Sequence, residues 1–143
     1  MDEKYMNEAI KEAKKALKLG EMPIGAVIVY ENKIIARGYN KKELSNDPTM
    51  HAEMIVIRKA SKKLSDWRLN KCSLYVTMEP CAMCMGAIVE SRIENLFYGV
   101  ENKKYHFINE NITKFEKLVV KNGILQADVN QLMKDFFSLI RNR

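Results

Sequence analysis

Residues 72–90 read CSLYVTMEPCAMCMGAIVE and join an apolar segment to a cysteine-containing segment. The first part, Cys72 to Met78, is β-rich and predicts a buried strand. A helix is predicted from Pro80 to about Glu90, because proline is tolerated in a first helical turn, where its missing N–H would have no partner. Cys81 and Cys84, at positions i and i+3, would share one face of that turn, so both sulfurs could reach one ion.

The cysteines favour a metal site. The chain has three, an odd number, and no secretory signal precedes them. In that context a Cys-x-x-Cys pair indicates metal or redox chemistry and not a disulfide framework. The free N–H groups and the positive dipole end of the predicted helix favour thiolate over thiol, which is the form that zinc binds. The third cysteine, Cys72, is expected to be a core residue because its strand is apolar.

A second motif, His51-Ala52-Glu53, lies upstream, where a polar loop meets the start of a predicted helix. His51 would be a third protein ligand, which leaves the fourth tetrahedral position of a zinc ion for water, as in catalytic sites. Glu53 can face the same ion if His51 is still in the entering loop, and its carboxylate would then carry protons between water and substrate. We therefore predict one Zn²⁺ per chain held by His51, Cys81 and Cys84, with Glu53 as the catalytic residue.

Two other interpretations of the cysteine pair stay open, a redox pair and a structural zinc site. A structural site needs no free carboxylate beside the metal, so Glu53 argues against that interpretation.

The remaining elements follow from periodicity and turn residues. In chain order, the predicted elements are a helix from Met6 to Leu17 that Gly20 ends, strands over Ile24 to Tyr30 and Lys33 to Tyr39, a loop over Asn40 to Thr49, a helix over Ala52 to Leu64, the strand and helix described above, strands over Ile93 to Val100 and Lys114 to Val120, and a last helix capped by Asp128. This order predicts an α/β fold in which a mixed sheet carries helices on both faces.

Length and charge set the wider expectations. The 143 residues allow one compact domain over 1–143. Residues 1–18 alternate Lys and Glu with apolar positions, which fits neither a signal peptide nor a membrane span, so a cytoplasmic protein without a membrane partner is expected. The net charge of +6 suits an anionic partner such as RNA, although many lysine-rich proteins bind none.

Four further side chains are expected to serve packing or to lie exposed, without a part in the chemistry. Phe136 and Phe137 are expected in the core, and Trp67 in the core or at an interface. His106 lies in a polar stretch and is expected to be exposed.

The pattern His-x-Glu…Pro-Cys-x-x-Cys resembles the signature of the zinc-dependent deaminases in the cytidine/deoxycytidylate deaminase superfamily. The resemblance covers nearly the whole chain, and flanking blocks favour the tRNA-specific adenosine deaminase branch. These blocks are Gly20 to Val27, His51 to Met54, Thr77 to Cys84, Gly86 to Ile88, Ser91 to Ile93, Gly123 to Leu125, Asp135 to Phe137 and Arg141.

The resemblance implies a three-layer α/β/α cytidine-deaminase-like fold with a five-stranded mixed sheet. It implies a homodimer that hydrolytically deaminates adenosine to inosine at the wobble position of tRNA, with the tRNA anticodon arm as partner. It also implies that substrate contacts come from Asn40, Ala52, Met78 and Asn102, and RNA contacts from the last helix.

One segment departs from that family. After Tyr98-Gly99-Val100 the tRNA enzymes usually have an Asp, a Lys and a loop rich in Gly and Ala, whereas this chain has Glu101 to Phe107 and is several residues shorter before Gly123. The loop is expected to border the substrate pocket. Two alternatives therefore stay open, a deaminase of free nucleobases or nucleosides such as guanine or cytosine, and a structural zinc module that binds RNA.

Overall fold

The structure, a computed structural model, describes residues 2–141. Within this range the helices are α1 (Asp2–Lys18), α2 (Lys42–Ser45), α3 (Ala52–Leu64), α4 (Ala82–Glu90), α5 (His106–Phe115) and α6 (Gln126–Arg141). The strands are β1 (Gly25–Tyr30), β2 (Lys33–Tyr39), β3 (Cys72–Met78), β4 (Asn95–Val100) and β5 (Val119–Lys121).

The five strands form one mixed sheet in the order β2-β1-β3-β4-β5. β1 is antiparallel to both of its neighbours, β2 and β3, whereas β3, β4 and β5 are parallel to one another. The predicted α/β class and the five-stranded mixed sheet are confirmed. β2, β3 and β4 therefore run in the same direction, and their carboxyl ends lie at one edge of the sheet.

One face of the sheet is covered by α1 and α6. Alanines and larger apolar residues recur along α1 at helical spacing, so the helix buries one continuous stripe. Gly25 at the start of β1 allows very close packing, because a Cβ there would lie 2.1 Å from the carbonyl oxygen of Ala9. The backbone of α1 therefore rests directly on β1.

The opposite face is covered by α3 and α4. The buried residues of this layer include Ala52, Val56, Ala60, Met85 and Ile88 from the helices, and Ala26, Ile28, Leu74, Val76 and Leu96 from the strands. Together with α1 and α6 on the other side, these helices give the expected three-layer α/β/α arrangement. The start of α3 and the start of α4 both lie near the edge where β2 and β3 end, because each helix follows a loop or turn from that edge.

The segment between β4 and β5 differs from the sequence prediction. A strand was predicted over Lys114 to Val120, but α5 extends to Phe115 and only Val119–Lys121 pair with β4. The fifth strand is present, but its predicted start is too early because Lys114 and Phe115 belong to α5, a helix that the sequence analysis missed and from which Ile112 packs against the core. Smaller differences are the short helix α2 inside the predicted polar loop, and the start of α6 at Gln126, ahead of the predicted cap. The helix predicted from Pro80 begins only at Ala82, so Pro80 lies before α4 and not in its first turn.

Two aromatic side chains for which a core position was considered are exposed, and for Trp67 the interface alternative stays a prediction. Trp67 is 53% exposed and not in the core; the guanidinium carbons of Arg68 and Arg92 lie 4.6 and 5.7 Å from its ring centroid. Phe137 on α6 is 47% exposed, so its predicted place in the core was wrong. Within residues 2–141, no helix has the length and apolar character needed to cross a membrane.

Candidate metal centre and active site

Two helix starts bring the predicted ligands together. His51 immediately precedes α3 and Cys81 immediately precedes α4, and both have extended backbone angles. Cys84 lies in the first turn of α4 and is fully buried. The backbone N–H groups of both first turns point toward this region, and the positive ends of the two helix dipoles favour anionic ligands there.

The three side chains lie close enough to share one ion. His51 Nδ1 is 3.5 Å from the sulfur of Cys81 and 3.5 Å from the sulfur of Cys84. In the described chain these three ligand atoms all lie within 4.8 Å of one another. One imidazole nitrogen and two sulfurs at these separations suit a zinc ion with three protein ligands. Cys72 is buried in the core at the opposite end of β3, so its predicted packing role is supported.

The cluster favours the ligand form of one cysteine. The hydrogen bond from the Cys84 thiol, with a further contribution from His51, lowers the pKa of Cys81 to about 4. The same interaction with Cys81 raises the pKa of Cys84, and the hydrogen bond with Cys81 raises the pKa of His51. Cys81 is therefore a thiolate at neutral pH, which is the form that binds a metal ion.

Glu53 lies in the first turn of α3, next to this cluster. Its side chain is 3% exposed, and its Oε1 atom has no hydrogen-bond partner in the described structure. Burial raises the pKa of this carboxyl to about 7. A buried, unpartnered carboxyl oxygen is costly unless it meets a ligand, so the position suits a group that exchanges protons with substrate.

The cluster and Glu53 open into a cavity of about 680 Å³. Its wall comes from six segments of the chain. The lining residues are Gly20, Met22, Ile24, Asn40, Lys42, Glu43, His51, Glu53, Met78, Glu79, Cys81, Val100, Glu101, Asn102, Lys104, Tyr105, Asn130, Met133, Phe136 and Phe137. The volume lies in the range of small-molecule sites.

Three of the four residues expected to contact substrate line this cavity. Asn40 is 7% exposed and its Oδ1 accepts a hydrogen bond from the backbone N–H of Lys42 (3.2 Å). Met78 and Asn102 lie on the wall as well. Ala52 is different, because its methyl group is fully buried in the core beneath α3 and is not part of the wall. Only its backbone could serve the predicted contact.

Sequence reasoning missed a buried glutamate that supports the α2 side of the wall. Glu21 is 1% exposed, and its carboxylate accepts hydrogen bonds from the backbone N–H groups of Glu43 (3.2 Å) and Leu44 (2.6 Å). Lys42 and Glu43, which line the cavity, are held in place by this contact. A charged residue between Gly20 and an apolar strand was the signal in the sequence.

A second missed group lies on the opposite wall. Glu79, in the turn before Cys81, accepts hydrogen bonds from the segment that departs from the family pattern. His106, expected to be simply exposed, has its Nδ1 atom 3.0 Å from Glu79 and is about one-third exposed. The expectation for His106 was therefore wrong in part.

The last helix closes the cavity. Met133 is buried, whereas Phe136 and Phe137 line the open side of the wall. Arg141 is exposed on the final turn of the helix that was expected to contact RNA, and residues 142–143 lie outside the described residues.

Comparisons with known proteins identify relatives of the chain. A family model described as MafB19-like deaminase matches residues 1–141. The chain is 43% identical over 149 residues to a tRNA-specific adenosine deaminase of Bacillus subtilis (strain 168), with 99% of this chain and 92% of the relative covered. It is 42% identical over 161 residues to a chloroplastic tRNA(adenine(34)) deaminase of Arabidopsis thaliana, with 97% of this chain covered, but it spans only 12% of that longer protein.

Solved structures show the same fold. A structure from work on A-to-I editing by tRNA:A34 deaminases at the wobble position of transfer RNA matches with a TM-score of 0.84 and 36% identity, over 90% of this chain and 98% of that chain. A guanine deaminase from Nitrosomonas europaea matches with a TM-score of 0.85 over 95% of this chain and 84% of that chain, but at 20% identity it shares the fold alone.

The fold, the His-Cys-Cys cluster and the family match define the class of protein as a deaminase, which is an enzyme class and not a structural module. Within that class, the chain belongs to the tRNA-specific adenosine deaminase family.

Proposed function

We propose that the protein converts adenosine to inosine at the wobble position of tRNA by zinc-dependent hydrolysis. The observation that carries this proposal is the unpartnered Oε1 of buried Glu53 beside the His51, Cys81 and Cys84 cluster, in a chain closely related to tRNA-specific adenosine deaminases. In the reaction, water adds to C6 of adenine, the bond from C6 to the exocyclic nitrogen breaks, and ammonia leaves.

His51, Cys81 and Cys84 would hold one zinc ion per chain. When bound, zinc supplies Lewis-acid activation of water near neutral pH. Glu53 supplies proton transfer: its carboxylate accepts a proton, delivers it to N1 of adenine as C6 becomes tetrahedral, and then helps ammonia to leave. A carboxyl group with a pKa of about 7 is suited to both directions of transfer near neutral pH.

The cavity wall supports a base held from several sides. Asn40, Met78 and Asn102 offer amide and apolar contacts, and we propose that these residues bind the substrate nucleoside. Tyr105 and Phe136 add aromatic surface on which an unstacked base can lie.

An RNA substrate is supported by the charges around the cavity. Lys42 and Lys104 line it, while Lys41 and Lys103 adjoin them in the sequence. The whole chain carries a net charge of +6. Phosphates of an anticodon loop can meet these ammonium groups, whereas a neutral free base offers no phosphate.

The test compares RNA with free bases. Purified protein is incubated with total tRNA, with an anticodon stem-loop, and separately with adenine, guanine and cytosine, and inosine and ammonia are measured. We expect inosine in the RNA samples only. A stem-loop with guanosine in place of adenosine at position 34 is the matched control. Efficient deamination of guanine or cytosine with untouched tRNA would instead establish the free-base alternative.

The proposal includes a homodimer of one-domain chains in the cytoplasm. Apolar side chains are exposed on α4 (Met83) and α5 (Phe107 and Ile108), and exposed apolar surface of this kind is available for association with a second copy. Light scattering coupled to size exclusion should give twice the mass of one chain, and a monomer at micromolar concentration would refute the dimer.

A further inference from the structure

The buried carboxylate of Glu79 connects two parts of the cavity wall. Its side chain is 3% exposed and lies in the turn between β3 and Cys81. The Oε1 atom accepts a hydrogen bond from the backbone N–H of Asn102 (3.1 Å) and lies 3.0 Å from His106 Nδ1. The Oε2 atom accepts a hydrogen bond from Asn109 Nδ2 (3.0 Å). All three partners belong to the segment that follows β4.

Asn109 extends the same connection to the chain next to a metal ligand. It is 3% exposed, and its Nδ2 group also donates to the carbonyl oxygen of Pro80 (2.7 Å). One side chain of α5 therefore contacts both residues that precede Cys81. Buried hydrogen bonds to a charged group are among the stronger hydrogen bonds in proteins. The contacts of Asn109 with Glu79 and Pro80 therefore fix α5 relative to the turn that precedes Cys81.

The chain held by these contacts forms a wall of the substrate cavity. Glu101, Asn102, Lys104 and Tyr105 all line it. The carbonyl oxygen of Asn102 accepts hydrogen bonds from the N–H groups of Tyr105 (3.0 Å) and His106 (2.9 Å), so residues 101–105 form a closed turn that leads directly into α5.

We propose that His106 and Asn109 are positioning residues that, through Glu79, hold residues 101–105 against the metal-site turn and so set one substrate-facing wall of the cavity. This rests on the proposed deaminase function. Neither side chain lines that cavity, and both act through Glu79.

The charges around His106 strengthen its contact with Glu79. The carboxylates that face it are Glu79 in the turn after β3, Glu101 after β4 (3.9 Å from Nε2) and Glu110 on α5 (3.5 Å from Nε2). The hydrogen bond to Glu79 raises the pKa of His106. A protonated imidazole would donate from both nitrogens into this group of carboxylates.

The test uses four variants of the zinc-loaded protein. His106→Leu removes the donor, His106→Asn restores a nitrogen near the place of Nδ1, and Asn109→Ala removes the second contact. Asn111→Ala is the matched control, because Asn111 lies on the same helix and its side chain bonds only the carbonyl oxygen of Phe107. Hydrogen exchange at the Asn102 amide, zinc content, and KM and kcat for an adenosine-containing anticodon stem-loop are measured for each.

For His106→Leu we expect Asn102 to exchange at least about tenfold faster and KM to rise by about tenfold, as for loss of one hydrogen bond to a charged group. Zinc content should not change, His106→Asn should recover most of both effects, and Asn111→Ala should behave as the unmodified chain. Unchanged Asn102 exchange in His106→Leu, or no recovery in His106→Asn, would overturn the proposal. If Asn109→Ala does not fold, the two His106 variants decide.

Hydrogen exchange needs no substrate, so it separates this proposal from the proposed function. Faster Asn102 exchange in a protein that deaminates no tRNA would support the anchoring role and refute only the substrate assignment.

Discussion

Replacing Glu53 by glutamine tests the catalytic assignment most directly. Glutamine has nearly the same shape as glutamate, so Glu53→Gln keeps the packing of a side chain that is only 3% exposed, but it cannot carry a proton. General acid–base groups contribute roughly 10²–10⁴-fold, which corresponds to about 3–5 kcal/mol of transition-state stabilisation.

The structure favours the upper end of that range. The other carboxylates on the cavity wall cannot replace Glu53. The Glu79 carboxylate is occupied by hydrogen bonds from Asn102 and Asn109, and Glu43 and Glu101 are exposed. We therefore expect turnover to fall about 10⁴-fold while zinc content stays unchanged.

The assay is single-turnover conversion of an anticodon stem-loop with enzyme in excess, together with metal analysis of the same samples. Glu12→Gln is the matched control, because Glu12 is another glutamate that is 4% exposed but lies on α1 and pairs with Lys15. It should leave turnover unchanged. A zinc-loaded Glu53→Gln variant within tenfold of normal turnover would refute the reasoning.

Four further predictions address the metal, the RNA, the fold and pH. Cys84→Ala should lose zinc and activity together, because a ligand also holds local structure; an equimolar zinc content would contradict the assignment. Binding of an anticodon stem-loop should weaken with salt with a log–log slope of several units, whereas a flat dependence would argue against phosphate contacts. Gly25→Ala should lower the free energy of unfolding by about 1–3 kcal/mol in denaturant titrations, because the methyl group of the alanine would meet the backbone of Ala9. No measurable loss of stability would show that α1 can shift freely. The pKa of His106 is raised in the folded protein, so the stability that this side chain contributes is fully present below its unfolded pKa near 6.5 and is lost as pH rises through its folded pKa. The loss of stability in His106→Leu should therefore be larger at pH 6 than at pH 9. An equal loss at both pH values would contradict the pairing with Glu79.

The centre of the fold and the clustering of His51, Cys81 and Cys84 were predictable because their signals are local. A β-rich run that leads into a proline and two cysteines at helical spacing places Cys81 and Cys84 at one helix start without any knowledge of the rest. His51 and Glu53 carry the same information at the start of α3. Both motifs follow strands that run in the same direction, so the sheet brings them to one edge.

The segment from 101 to 121 was not predictable in the same way. Its helix is stabilised by tertiary contacts, such as the one between Asn109 and Glu79, which lie 30 residues apart in the sequence. The β-branched residues Val119 and Val120 do form the short strand β5, but the local pattern does not show where α5 ends. The sequence likewise shows the apolar pattern of α6 but not which of its apolar side chains other elements cover, so the exposure of Phe137 was not predictable.

The order in which the cavity wall is encoded has a consequence for synthesis on the ribosome. His51, Cys81 and Cys84 belong to the middle of the chain, whereas the wall formed by Met133 and Phe136 is translated last. Amino-terminal parts of a nascent chain emerge and can fold first. The ribosome therefore synthesises all three proposed metal ligands before the residues of α6 that complete the cavity wall.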